Sequence, residues 1–165
     1  MKKIGLVGGI SWSSTIDYYR FINEAVNEKL GGIHFAECII YSVDFNDFCR
    51  HNAAHDWNAT ASLLTNAASQ LEKAGAEVLM LCANTAHIVA EQVSDAVGLP
   101  LVDIRTATAN AILQKGISKA GLLGTEYTME LDFYKNKIQE HGIEVIVPAD
   151  RADRALGHRV GGTRS

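Results

Sequence analysis

With 165 residues, 47% of them hydrophobic, the chain can bury a core of its own and is long enough for one domain, or for one and part of a second. Its 15 Lys+Arg against 19 Asp+Glu leave a net charge of -4 with no long run of one sign, which removes the electrostatic footprint that nucleic acid or an anionic membrane surface would need. No apolar run reaches the roughly 20 residues of a membrane span, and the opening MKKIGLVGG passes from two lysines straight into a strand-like segment, so a cytoplasmic chain is expected.

The first apolar run, residues 3–7, has the length of a buried strand and leads into a helical pattern over 14–30. A second strand, 36–41, is followed by DFNDFCRHNAAHD at 44–56, expected as a loop that holds Arg50, His51, Asn52 and His55. A helix over 57–74, a strand over 77–81 and a helix over 85–97 come next, and Gly98-Leu99-Pro100 marks a boundary where the chain must leave the helix. Beyond it the pattern predicts strand 101–102, helix 104–115, strand 119–123, helix 128–141 and strand 144–147. Gly31, Gly75, Gly98, Gly116 and Gly142 fall just past these helix ends, where a residue of positive φ is wanted. Strand-length runs alternating with helices predict an α/β fold, a parallel sheet flanked by helices. Residues 151–165, RADRALGHRVGGTRS, carry arginines and glycines but no sustained apolar period, and read as a tail unlike the rest.

Candidate chemistry gathers at strand ends. The stretch VLMLCANTAH, residues 78–87, runs a buried strand into Cys82 and then into Asn84 and Thr85, both good N-cap residues. A thiol at the carboxyl end of a parallel strand, beside a helix start, would have its thiolate favoured and could serve as nucleophile or base; equally, Cys82 could be a small buried hydrophobe. His87 is either an orienting partner or a helix residue with its ring satisfied locally. Residues 8–15, GGISWSST, offer glycines for close backbone approach and hydroxyls for capping, which suits either a carboxylate or phosphate cradle or a tight strand-to-helix turn. The G-x-G-x-x-G spacing of a dinucleotide site is absent. Leu122-Leu123-Gly124-Thr125 repeats the small polar strand end. Cys38, Cys49 and Cys82 form no CxxC pair and are expected reduced, and no zinc spacing is present, so no metal is assigned.

Three separated blocks, GLVGGISWSSTIDYYRFIN, AGAEVLMLCANTAH and LLGTEYTMELDFY, together resemble the aspartate/glutamate racemase family over residues 1 to about 150. The resemblance implies two similar α/β lobes with the substrate between them: here a first lobe over 1–97, an incomplete second lobe over 98–150 and a divergent tail over 151–165. It implies a PLP-independent racemase with no cofactor, acting on a small amino acid such as aspartate or glutamate, and a homodimer in the full-length family. It places Cys82 as the acid/base residue, with Ser11, Asn52, Ala83, Asn84, Thr85 and Thr125 lining the substrate site. Two departures accompany it. Many family members read Cys-Asn-Thr where this chain reads Cys82-Ala83-Asn84-Thr85, so the register set by Asn84-Thr85 puts Ala83 at the acid/base position. The Gly-Cys-Thr-Glu-like motif of the second lobe does not occur. A C-terminally shortened chain with impaired racemase chemistry is therefore expected, the alternative being a carboxylate-binding protein derived from a racemase.

Overall fold

The computed structural model describes residues 1–149, so the tail at 151–165 lies outside the described residues. The chain forms two compact units, Met1–Val102 and a second that begins at Asp103. Each is taken by itself.

The first unit is built on a parallel sheet of order β2-β1-β3, with β1 at Ile4–Gly8, β2 at Cys38–Ser42 and β3 at Val78–Leu81. Helix α1, Trp12–Leu30, joins β1 to β2; α2, Phe45–Ala53, and α3, Trp57–Lys73, join β2 to β3. Such helical crossovers are what parallel pairing requires. The central strand reads as one apolar run because it is covered on both faces: Leu6 and Val7 are both fully buried. Against it α3 lays Leu64, Ala67, Ala68 and Leu71, a stripe at helical spacing that packs with Leu79 and Leu81 in one core cluster.

The segment 44–56, expected as a loop, holds α2 instead. Asp44 caps it by accepting from the Asn46 N–H at 2.9 Å, and Phe48 and Asn52, four residues apart, are its buried face. The helix at 85–97 is also different: Thr85–Val89 is a 3₁₀ turn, and α4 occupies only Ala90–Ala96. Because α4 stops early with Val97 extended, Gly98 is not a helix-terminating residue and lacks the positive φ found at Gly31, Gly75, Gly116 and Gly142. Its N–H donates to Glu72 Oε1 at 2.9 Å.

The boundary expected at 97/98 falls at Val102/Asp103. The reason is hydrogen bonding: Leu79 N–H donates to Pro100 C=O at 2.9 Å and Val102 N–H to Leu79 C=O at 2.8 Å, which binds residues 100–102 to the edge of β3. Only the Leu101–Leu79 bridge forms there, in place of the expected strand at 101–102.

In the second unit, β4, Lys119–Gly121, pairs in parallel with β5, Glu144–Ile146. Helix α5 is Ile104–Gln114, and the predicted helix over 128–141 is two helices, α6 at Glu126–Glu130 and α7 at Asp132–Gln139, broken where Leu131 is extended. Ala109, Tyr134, Ile138 and Ile143 form the core. Buried beside it, the Arg105 guanidinium lies 2.6 Å from Asp103 Oδ2 and donates to Phe133 C=O at 2.9 Å. Among the described residues, no helix is long and apolar enough to cross a membrane.

Candidate functional site

In the first unit the strand register sets Gly8 beside Ser42 and Val7 beside Leu81. The segments that leave β1, β2 and β3 therefore emerge at one carboxyl edge, where open parallel sheets place their ligands. The ladder runs one residue further: Val43 N–H donates to Gly8 C=O at 3.0 Å, and Cys82 N–H to Val7 C=O at 2.9 Å.

The two glycines after β1 serve this close packing. A Cβ on Gly8 would lie 2.5 Å from Thr15 Cγ2, and one on Gly9, whose φ is +84°, would meet the Val43 backbone. Thr15 Oγ1 accepts the Gly9 N–H at 3.0 Å. Of the two readings of residues 8–15, the tight strand-to-helix turn accounts for both glycines. Ser11 then takes φ 55°, a left-handed conformation uncommon outside glycine, and its hydroxyl sits 2.8 Å from that of Ser13. The Ser14 hydroxyl donates across the edge to Cys82 C=O at 2.7 Å.

Cys82 is fully buried, and burial pushes its thiol up to about 12 from an ordinary 9.0. Of the two readings of Cys82, the small buried hydrophobe fits this environment better than the favoured thiolate. The α-helix start that was to stabilise the anion is a 3₁₀ turn of five residues, and the thiol has left water without gaining a cation to hold its charge. Ala83 is half-buried, Asn84 exposed and Thr85 half-buried. Asn84 lies in the right-handed helical region and its side chain makes no capping bond, so the N-cap role expected of it is not used. His87 is buried, with Nδ1 2.9 Å from Ala83 C=O, which fits a ring engaged within its own turn.

Ser11, Cys82, Ala83, Asn84 and Thr85 thus share one edge of one unit. Asn52 is 3% exposed, and its Oδ1 accepts from Thr60 Oγ1 at 2.9 Å, tying α2 to α3. Arg50 pairs with Asp47 at 3.0 Å on the surface. Thr125 belongs to the second unit, where it caps α6, with Oγ1 3.4 Å from the Thr128 N–H and 3.0 Å from Thr128 Oγ1. Ser14 and Thr15 were legible only as hydroxyls near a helix start; nothing in the sequence says which carbonyl or amide each would reach.

A sequence profile described as Asp/Glu/Hydantoin racemase matches residues 7–164. The chain belongs to that family. The match runs through 151–164, the stretch that its composition set apart from the rest. This racemase-family chain is 30% identical over 150 residues to the broad specificity amino-acid racemase RacX of Bacillus subtilis (strain 168), covering 87% of itself and 63% of that protein. It therefore spans less than two thirds of the length of that curated relative. It superposes on a Yersinia pestis crystal structure described as a candidate Asp/Glu racemase with a TM-score of 0.90 and 53% identity, over 97% of this chain and 70% of the other. For an aspartate racemase homologue from Pyrococcus horikoshii OT3 the TM-score is 0.86 and the identity 41%, over 95% and 69%. In this family member, exposed Asn84 and half-buried Thr85 stand at the β3 end next to a thiol that stays protonated near neutral pH.

Proposed function

We propose that this chain binds a small acidic amino acid through its carboxylate at the carboxyl edge of the β2-β1-β3 sheet, as part of PLP-independent, aspartate/glutamate-type racemase chemistry. The observation that carries this reading is Asn84: exposed, uncapped and next to Thr85 at the end of the central sheet's third strand, so that its amide is left for a ligand. Ser11 of the first unit is proposed as a further contact, as the family resemblance implies. Racemisation needs a base on one face of Cα and an acid on the other. In this chain Ala83 has no ionisable group, and Cys82 is buried and protonated. The polypeptide of 165 residues is therefore proposed to bind its amino acid with little inversion.

The protonated, fully buried Cys82 also favours a second reading, a carboxylate-binding protein that has kept the receptor and lost the proton transfer. Calorimetry with L-aspartate, L-glutamate and malate, followed by incubation with L-aspartate in D2O, separates the two. Binding with no α-deuteration favours the second reading, and slow deuteration without inversion favours a one-sided base in the racemase reading. Rapid deuteration with inversion overturns the claim of impairment, and no binding of any of the three overturns both readings. A cytoplasmic location, read from the sequence, and a homodimer of the full-length protein, implied by the resemblance, belong to the same proposal; sedimentation of the full-length protein at micromolar concentration tests the dimer.

A further inference from the structure

We infer that Ser14 is a positioning residue for the carboxylate receptor, acting by fixing the peptide planes that present the Ala83 and Asn84 amides. The inference rests on the proposed function above. Ser14 lies in the first turn of α1, and its hydroxyl has three carbonyl oxygens within reach: Ile10 at 3.3 Å, Ser11 at 2.8 Å and Cys82 at 2.7 Å. The first two are the local back-bonding any serine at a helix start can make. The third, and shortest, bridges 68 residues of chain to the end of β3.

A hydroxyl has one proton to donate, so the Cys82 carbonyl competes with the local ones, and at 2.7 Å it is the shortest of the three contacts. No peptide bond among the described residues is cis. In a planar trans peptide the C=O and the following N–H point in opposite directions, so holding the Cys82 carbonyl toward α1 directs the Ala83 N–H away from it. The next plane is held in the same way, because His87 Nδ1 sits 2.9 Å from Ala83 C=O and so fixes the direction of the Asn84 N–H. Among the described residues, neither the Ala83 nor the Asn84 N–H donates a hydrogen bond. Two successive donors are thus oriented by side chains on the carbonyl side, and in the proposed site they are the backbone groups that would meet the carboxylate.

The test uses the full chain, wild type, Ser14→Ala and Ser14→Thr. In the ligand-free protein, ¹H–¹⁵N spectra should show the Ala83 and Asn84 amide resonances displaced in Ser14→Ala and returned in Ser14→Thr, which keeps the hydroxyl. Calorimetry with L-aspartate should show affinity weakened roughly tenfold in Ser14→Ala, the loss expected for one misdirected charge-assisted bond, and restored to within about twofold in Ser14→Thr. Unmoved amides, unchanged affinity in Ser14→Ala, or equal losses in both variants would each overturn the inference. If the wild type does not bind L-aspartate, the functional proposal fails on its own, and the amide resonances still decide whether Ser14 holds those two planes.

Discussion

Thr15 fills the space that any side chain at Gly8 would need. A Cβ there would lie 2.5 Å from Thr15 Cγ2 and 2.7 Å from Thr15 Oγ1, while that oxygen accepts the Gly9 N–H at 3.0 Å. The first turn of α1 is thereby seated directly on the end of β1. Gly8→Ala should destabilise the chain by about 1–3 kcal/mol, the usual range for overpacking. Pairing it with Thr15→Ser removes the methyl contact but keeps the acceptor, and should recover part of the loss in urea denaturation. Full stability in Gly8→Ala alone would mean that α1 sits less tightly on the strand than described.

Burial of Cys82 sets a pH dependence whose sign can be worked out. Its thiol pKa is raised in the folded chain to about 12 from an ordinary 9.0. Between those values the unfolded chain has lost this proton and the folded chain has kept it. Stability therefore falls as pH rises through that interval, with a slope of at most about 1.4 kcal/mol per unit from this group. Well below 9.0 both states keep the proton and the group has no effect on the pH dependence. The difference in unfolding free energy between wild type and Cys82→Ala, followed from pH 8 upward, should change in favour of the variant. Alkylation at pH 8 should modify exposed Cys49 before Cys82. A Cys82 that reacts first would restore it as a thiolate candidate.

Asn84 separates binding from stability. Its side chain is exposed and makes no capping bond, so Asn84→Ala should change the unfolding midpoint by no more than a surface substitution does, within about 0.5 kcal/mol. Its affinity for L-aspartate should nevertheless fall, by roughly tenfold if the amide reaches the carboxylate. Loss of stability without loss of affinity would show that the residue serves the fold.

Asn52→Ala should do the reverse. Its amide oxygen is inside the first unit and accepts from Thr60, so the substitution leaves a buried hydroxyl without that acceptor. A cost of about 1–3 kcal/mol in denaturation is expected, with dicarboxylate affinity unchanged. A selective loss of affinity would return Asn52 to the binding site.

In the second unit, Asp103 and Arg105 form a buried pair, with side-chain exposures of 16% and 6%. Truncating one partner leaves the other charge short of its compensation. Asp103→Ala should cost about 3–5 kcal/mol, more than Arg105→Met, because Arg105 is the more deeply buried charge. Thermal unfolding of the two variants checks the order, and equal or reversed losses would count against it.

The α/β class, the parallel order implied by alternating strands and helices, and the chemistry-bearing blocks at 8–15 and 82–85 were all written in local pattern. Apolar runs of strand length, helix-period stripes such as Leu64, Ala67, Ala68 and Leu71, and capping residues act through neighbours in sequence, so they can be read without a fold. Helix α2 was legible too, in the Asp44 cap and the Phe48–Asn52 spacing, but the polar composition of 44–56 obscured it. Only the tertiary structure decided which way each candidate group faces. Asn52 and Cys82 both look like site residues in a polar or strand-end context, yet neighbouring elements enclose them, and enclosure is a sum of contacts from distant parts of the chain. The same holds for the bond from Ser14 to Cys82, whose partners are 68 residues apart. Position at a strand end is a local property; the state of a thiol or the direction of an amide depends on what the rest of the chain packs against it.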